Sequence, residues 1–130
     1  MSAVLMPTFD TLDAHTLIDG MDDAALDHLD FGVIGIDGAG LVRRYNEPES
    51  RMAGLSSHRV LGHSMFTVVA PCMNNYMVAQ RLDDAAARGE ALDATIDYVL
   101  TLRMKPVKVK LRLLAGAGAA MRYVFVLRPS

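Results

Sequence analysis

The amino-acid sequence predicts an α+β fold in which an antiparallel sheet carries helices on one face. The predicted elements run in the order two strands, several helices and three strands, which is typical of α+β proteins. Two β-like runs joined by Asp37-Gly38 indicate a hairpin. Apolar residues at helical spacing fill the middle of the chain, and strict apolar–polar alternation fills its last third.

The composition bounds the size and the partners of the protein. A chain of 130 residues has the length of one ordinary domain and can bury a core without disulfides. Its formal net charge of -2 argues against a nucleic-acid binder, because such proteins present an excess of basic residues. No apolar run approaches the about 20 residues that cross a membrane. With its single unpaired cysteine, the chain is expected to be cytoplasmic and to bind small molecules or proteins, and neither nucleic acid nor membrane.

The first 30 residues predict a small helical cap. Apolar residues at near-helical spacing are interrupted at Gly20, and Asp22 and Asp23 follow as capping residues of a second short helix. The apolar face of these helices is modest. We therefore expect the cap to be the least stable unit of the protein.

A hairpin and a short helix are predicted next. The hairpin strands cover residues 31–36 and 41–45, and Asp37-Gly38 is expected to supply the positive φ values of the turn. In the following run, Pro48 near the start and Gly54 at the end indicate a helix.

The second half of the chain predicts one longer helix and three strands. The helix covers residues 75–88 and ends at Gly89. The last two strands cover residues 107–113 and 122–128. The first of the three strands ends before Pro106, and its inward face consists of alternate apolar residues: Ala94, Ile96, Tyr98, Leu100, Leu102 and Met104.

The basic residues, histidines and glycines give no signal of a site. Lys108, Lys110 and Arg112 alternate along one strand and are expected on its solvated face. The four histidines lack the spacing that a metal site requires, so no metal is expected. Gly38 and Gly40 lack the Gly-Lys-Ser/Thr sequence of a phosphate loop and are better explained as turn residues.

Cys72 is the only cysteine and stands directly after Pro71. A single thiol cannot form an internal disulfide, so three interpretations remain open: an inert buried side chain, a nucleophile, or an attachment point for a covalent group. Asn74 and Asn75 are expected to open the longer helix, which places Cys72 near a helix N-terminus. Free backbone N–H groups there would favour the thiolate.

Short sequence motifs along most of the chain match the motifs of one known protein family. They are Met21-Asp22-Asp23, Phe31-Gly32, Asp37-Gly38 with Gly40, Tyr45-Asn46, Glu49, Val69-Ala70-Pro71-Cys72, Met104 with Pro106, Lys108-Val109-Lys110 and Val124-Phe125-Val126. On these residues the chain resembles the photoactive yellow protein family of blue-light receptors. The resemblance implies a single PAS domain over residues 1–130, with the cap at 1–30 and, at 31–130, a PAS core built on a five-stranded antiparallel sheet.

The resemblance also implies a chromophore site. Cys72 would carry p-coumaric acid (4-hydroxycinnamic acid) as a covalent thioester, and Tyr45 and a protonated Glu49 would donate hydrogen bonds to its phenolate oxygen. Tyr45 and Glu49 are four residues apart, so a helix after Tyr45 would place them on one face, where they can reach one acceptor. The expected chromophore-binding residues are Tyr45, Glu49, Ala53, Leu55, Val69, Ala70, Leu100, Leu102 and Met104.

Four expected site residues depart from the family's pattern. Ala53 replaces a threonine that supports the tyrosine hydroxyl, and Leu55 replaces an arginine that shields the pocket. Leu100 and Leu102 replace a phenylalanine and a tyrosine, which leaves a more aliphatic wall.

The expected function is light sensing without enzymatic activity. In the mechanism that the resemblance implies, light isomerises the chromophore from trans to cis and Glu49 gives up its proton. The unpaired buried carboxylate then loosens the cap for an unknown downstream signalling protein. The alternative is a non-photoactive PAS module that binds another ligand or a protein. A cysteine-dependent enzyme ranks last, since no histidine lies closer to Cys72 in the sequence than His63.

Overall fold

The computed structural model describes residues 6–101, 105–116 and 118–129. Two short helices come first, α1 (Ala14–Asp19) and α2 (Asp23–Leu26). The elements that follow are β1 (Gly32–Ile36), β2 (Val42–Tyr45), α3 (Glu47–Ala53), α4 (Ser57–Val60), a π-helical segment (Met65–Val69), a 3-10 turn (Pro71–Met73), α5 (Ala79–Arg88), β3 (Leu92–Leu100), β4 (Val107–Ala115) and β5 (Arg122–Leu127). No helix within these described ranges is both long and apolar enough to cross a membrane.

The five strands form one antiparallel sheet in the order β2-β1-β5-β4-β3, which confirms the predicted fold class. Ile34 on β1 pairs with Tyr45 on one side and with Val124 on the other. This register fixes the position of Tyr45, the last residue of the edge strand β2.

The main hydrophobic core lies between the sheet and α4, α5 and the irregular segment around Cys72. The predicted alternation of β3 is confirmed, because Tyr98 and Leu100 are buried whereas Asp97 and Val99 are exposed. The described strand ends at Leu100. Leu102 and Met104 lie outside the described residues.

The hairpin turn has a different geometry from the predicted one. The positive φ belongs to Gly40, at 82°, and not to Gly38. The Asp37 carboxylate accepts hydrogen bonds from the backbone N–H groups of Ala39 and Leu41 at 2.9 and 3.0 Å. The aspartate side chain therefore holds the first part of the turn, and only its end needs a left-handed residue.

The start of α5 was predicted four residues too early. Asn75 accepts hydrogen bonds from the backbone N–H groups of Met77 and Val78 through its side chain, at 3.0 and 3.2 Å. This local turn competes with a helix, so α5 begins at Ala79. Cys72 lies in the separate 3-10 turn. Cys72 therefore does not lie at the N-terminus of the long helix, and that prediction is wrong.

A second hydrophobic core lies on the other face of the sheet, under the N-terminal cap. Its ten buried residues include Ile18 and Leu26 from the cap and Tyr123 and Phe125 from β5. Lys108 and Lys110 are exposed, as predicted, but Arg112 is only 5% exposed. The prediction of a solvated Arg112 is wrong because the cap covers this part of β4.

Two arginines of the sheet hold the cap in addition to this core. Arg112 donates hydrogen bonds to the backbone carbonyls of Phe9 and Thr11 at 2.9 and 2.8 Å. Arg44 donates to the carbonyls of Ile18, at 2.9 Å, and Met21, which lie at and just after the C-terminal end of α1. The Ile18 carbonyl also accepts from the backbone N–H of Met21 at 3.1 Å, so Arg44 adds to the hydrogen bonds that close the end of α1. The expectation that only a modest apolar face holds the cap is therefore wrong.

Asn46 joins the cap, the sheet and α3. Its side-chain oxygen accepts from the backbone N–H groups of Val33 and Glu49 at 2.9 and 3.2 Å. Its side-chain nitrogen donates to the carbonyls of Leu26 and Phe31 at 2.9 and 3.1 Å. The residue is 2% exposed. All of its donors and both acceptor positions are thus used inside the protein.

We expect Asn46→Ala to lower the free energy of unfolding by about 2–4 kcal/mol, because it removes the α3 cap and leaves buried backbone groups unpaired. Equilibrium urea unfolding measures the change. Asn74→Ala is the matched control, since Asn74 is exposed. Equal stability of the two variants would contradict the linking role of Asn46.

Candidate functional site

Cys72 lines an open cavity of about 580 Å³. Cavities that hold small ligands measure about 300–1,000 Å³, so its size suits a small organic molecule. The described residues that line it with Cys72 are Ala53, Leu55, Val68, Val69, Pro71 and Thr101. The structure thus brings together four of the predicted site residues, Cys72, Ala53, Leu55 and Val69, around one space.

Thr101 and Val68 are lining residues that the sequence did not reveal. The alternation of β3 would place Thr101 on the outer face. The described strand ends one residue earlier, so the alternation no longer determines the direction of this side chain. Val68 belongs to the π-helical segment, whose form has no clear sequence signal.

The 3-10 turn that carries Cys72 is tied to β3 by side-chain hydrogen bonds. The Tyr98 hydroxyl donates to the carbonyl oxygen of Cys72 at 2.5 Å. The Asn75 amide donates to the Tyr98 oxygen at 2.6 Å and to the same Cys72 carbonyl at 3.3 Å. The half-buried thiol is therefore carried by a turn whose backbone has fixed partners. The sequence identified Tyr98 only as an apolar position.

Tyr45 presents an unpaired donor. The residue is 8% exposed and packs in the main core. Within the described part of the chain its hydroxyl makes no hydrogen bond, and it does not line the Cys72 cavity. Burial raises the pKa of Tyr45, and the nearby charge of Glu49 raises it further. The hydroxyl thus stays protonated and can donate to an oxygen atom of a ligand.

Glu49 is buried and paired with Arg128. The carboxylate accepts from the two terminal guanidinium nitrogens of Arg128 at 2.7 and 3.1 Å. Burial raises the pKa of the Glu49 carboxyl, while Arg128 lowers it in part. A Cβ atom on Gly32 would lie 2.1 Å from a Glu49 carboxylate oxygen, so only glycine lets the carboxyl rest against β1. Arg128 was not among the predicted site residues.

The other predicted site residues have simple positions. Ala70 and Leu100 are 2% and 3% exposed and belong to the main core, beside the cavity residues. Leu102 and Met104 are outside the described residues. The convergence of Tyr45 and Glu49 on one acceptor stays a prediction, because in this structure Glu49 bonds to Arg128.

A larger cavity of about 840 Å³ lies near the same turn. Tyr98, Asn75 and Arg128 contribute to its wall. Cys72 is not among its lining residues in the described ranges. We place the candidate site in the smaller cavity, because that cavity contains the thiol.

Comparisons with known proteins agree with the fold. A family model described as the PAS fold matches residues 20–129. The photoactive yellow protein of Rhodothalassium salexigens is 33% identical over 108 residues, which cover 83% of this chain and 86% of that protein. The protein of the same name from Halochromatium salexigens is 32% identical over 120 residues, covering 92% and 95%.

Among solved structures, the chain is similar to the photoactive yellow protein domain of the sensor histidine kinase Ppr from Rhodospirillum centenum. The TM-score is 0.79 at 39% sequence identity, and the match covers 87% of this chain and 98% of that domain.

We expect Tyr98→Phe to make the Cys72 turn more mobile, because it removes the hydroxyl that bonds to the Cys72 carbonyl and to Asn75. The free energy of unfolding should fall by about 1–2 kcal/mol, and a thiol reagent should modify Cys72 several-fold faster. Absorbance during modification measures the rate. Tyr76→Phe is the control, since Tyr76 is 78% exposed. If both variants react at the wild-type rate, the hydroxyl of Tyr98 does not restrain the turn.

Proposed function

This chain belongs to the photoactive yellow protein family of PAS-fold photoreceptors, and we propose that it is a blue-light receptor with p-coumaric acid attached to Cys72 as a thioester. One observation carries the proposal: the single, half-buried thiol lines a cavity of small-molecule size. About half of that cavity's wall is apolar, with Ala53, Leu55 and Val69 among the residues that form it, and the other half is polar. The apolar half suits an aromatic ring.

The chain's own residues fit the polar end of this chromophore. The Tyr45 hydroxyl has no hydrogen-bond partner within the described residues, and its raised pKa keeps it a donor. An ionised phenol oxygen inside a protein needs such donors, because burying a charge without hydrogen bonds is costly. When bound, p-coumaric acid supplies the absorption of light and the trans-to-cis isomerisation.

Glu49 holds the proton in the proposed mechanism. Burial favours the neutral form of its carboxyl, which can donate a hydrogen bond. To donate, Glu49 must leave the contact with Arg128 that the structure shows. Loss of the Glu49 proton after light absorption would change the charge at the start of α3. Asn46 connects that point to α2, so the cap is the unit we expect to loosen.

The proposal treats residues 1–130 as one PAS domain that acts without enzymatic activity of its own. Its receiver is a separate, unidentified signalling protein. The similar domain in Rhodospirillum centenum comes from a sensor histidine kinase. That similarity supports a signalling role for this protein.

A second candidate function is a non-photoactive PAS module that binds another small ligand. The Glu49–Arg128 pair favours it, because a carboxylate held by arginine is not available as a donor to a phenolate. Reconstitution with activated p-coumaric acid distinguishes the two functions. A yellow protein that bleaches under blue light and recovers in the dark supports the photoreceptor, whereas an unloaded, colourless protein supports the second candidate.

We expect Cys72→Ala to abolish covalent loading while the protein remains folded, since alanine replaces a small, half-buried side chain. Intact-protein mass spectrometry after reconstitution measures the adduct, and circular dichroism checks the fold. An adduct on the variant, or a wild-type thiol that never acylates, would contradict the attachment role.

We expect Glu49→Gln to shift the absorption of the loaded protein to longer wavelength. An amide is a weaker donor than a carboxylic acid and stabilises the ground-state phenolate less. Glu47→Gln is the control, because Glu47 is exposed on the same helix. A spectrum that is the same for all three proteins would show that Glu49 does not contact the chromophore.

A further inference from the structure

We propose that Arg128 is a positioning residue that pairs with Glu49 whenever its carboxyl is ionised and thereby limits how far the N-terminal cap loosens in that charge state. The contact between Arg128 and Glu49 is observed in the structure without a chromophore. Its consequence for light signalling rests on the proposed function above.

The contact has the geometry of a strong buried ion pair. Both terminal nitrogens of Arg128 face the two oxygens of Glu49, at 2.7 and 3.1 Å. The Glu49 side chain is 3% exposed and the Arg128 side chain 9% exposed. Bidentate arginine–carboxylate pairs combine charge with fixed direction. Solvent therefore screens this pair little, and removal of either partner leaves a buried charge uncompensated.

Few other groups can take the place of Arg128. Tyr45 faces Glu49 from β2, and its neutral hydroxyl carries no compensating charge. Asp30 and Arg51 line a cavity beside Arg128, but both residues are exposed. On the remaining side Gly32 presents only backbone to the carboxylate.

The pair is connected to the cap through the start of α3. The backbone N–H of Glu49 donates to the Asn46 side chain at 3.2 Å, and Asn46 donates to the carbonyl of Leu26 in α2 at 2.9 Å. An unpaired charge on Glu49 would draw water or a new partner to this point and strain both bonds. With Arg128 in place, ionisation of Glu49 leaves a compensated pair instead. Arg128 therefore limits how far loss of the Glu49 proton disturbs the cap.

The first test measures the pKa of Glu49 in the unloaded protein by carbon NMR of labelled glutamate. Arg128→Gln removes the cation that favours the charged carboxylate, so the pKa should rise by about 1–3 units. Arg43→Gln is the matched control, because Arg43 forms an exposed pair with Asp37. If Arg128→Gln does not fold, Arg128→Lys should show a smaller rise in the same direction. An identical Glu49 pKa in the wild type and in the folded variant would overturn the proposal.

The second test measures hydrogen-exchange protection of the cap, again without chromophore. In Arg128→Gln the folded-state pKa of Glu49 lies above its unfolded value, so protection should be complete at low pH. It should fall as pH rises through the folded-state pKa. The double variant Glu49→Gln/Arg128→Gln has no titrating carboxyl there and should keep its protection constant. The wild type, in which Arg128 lowers the Glu49 pKa in part, should lose less protection than Arg128→Gln as pH rises. Protection that is independent of pH in Arg128→Gln would overturn the coupling to the cap.

These tests separate the role of Arg128 from the proposed function. If Cys72 acylates normally but Arg128→Gln changes neither measurement, the role of Arg128 is wrong and the receptor function stands. If both measurements change as expected but Cys72 never acylates, the pair is real and the chromophore assignment is wrong.

Discussion

The buried side chain of Asn46 is the interaction on which the rest of the arrangement depends. It bonds to the backbone of Val33 and Phe31 in and before β1, to Leu26 in α2 and to Glu49 in α3, and it is 2% exposed. A buried amide is costly unless every donor and acceptor is used, and here the four hydrogen bonds reach three segments. The cap, the sheet and the helix that carries Glu49 are thus held in one relative position by one residue.

The edge strand β2 connects the two cores through its alternation. Tyr45 packs in the main core, against which Leu55 and Cys72 also pack, whereas its neighbour Arg44 holds carbonyl groups of the cap on the opposite face. Successive strand residues point to opposite faces, so a small twist of β2 moves both side chains at once. Arg44 also donates to the Tyr123 hydroxyl at 3.0 Å, which ties the same point to β5. The main core and the cap therefore share the strand β2.

The fold could be predicted because its signals are local: the alternation in β3, the glycine at the end of α3 and the hairpin turn. The errors concern contacts between distant parts of the chain. The sequence predicts that Arg112 is a solvated strand residue. It is buried because it donates to the backbone of Phe9, which lies 103 residues away in the sequence. The site shows the same division. Cys72 and Leu55 line one cavity as expected, whereas the pairing of Glu49 with Arg128, 79 residues away, has no spacing signal.

The pairing of Glu49 also bears on how a buried carboxyl can act as a switch. Such a group can change its charge repeatedly only if the fold tolerates both forms, since an uncompensated buried charge would favour unfolding. Here the ionised form has Arg128 as its partner, and the neutral form is favoured by burial itself. When two forms differ little in free energy, binding of a ligand or a proton can shift the equilibrium between them. In the proposed mechanism the signal would be a repositioning of Glu49 between partners, and its size would depend on how firmly Asn46 and Arg44 hold the cap during that change.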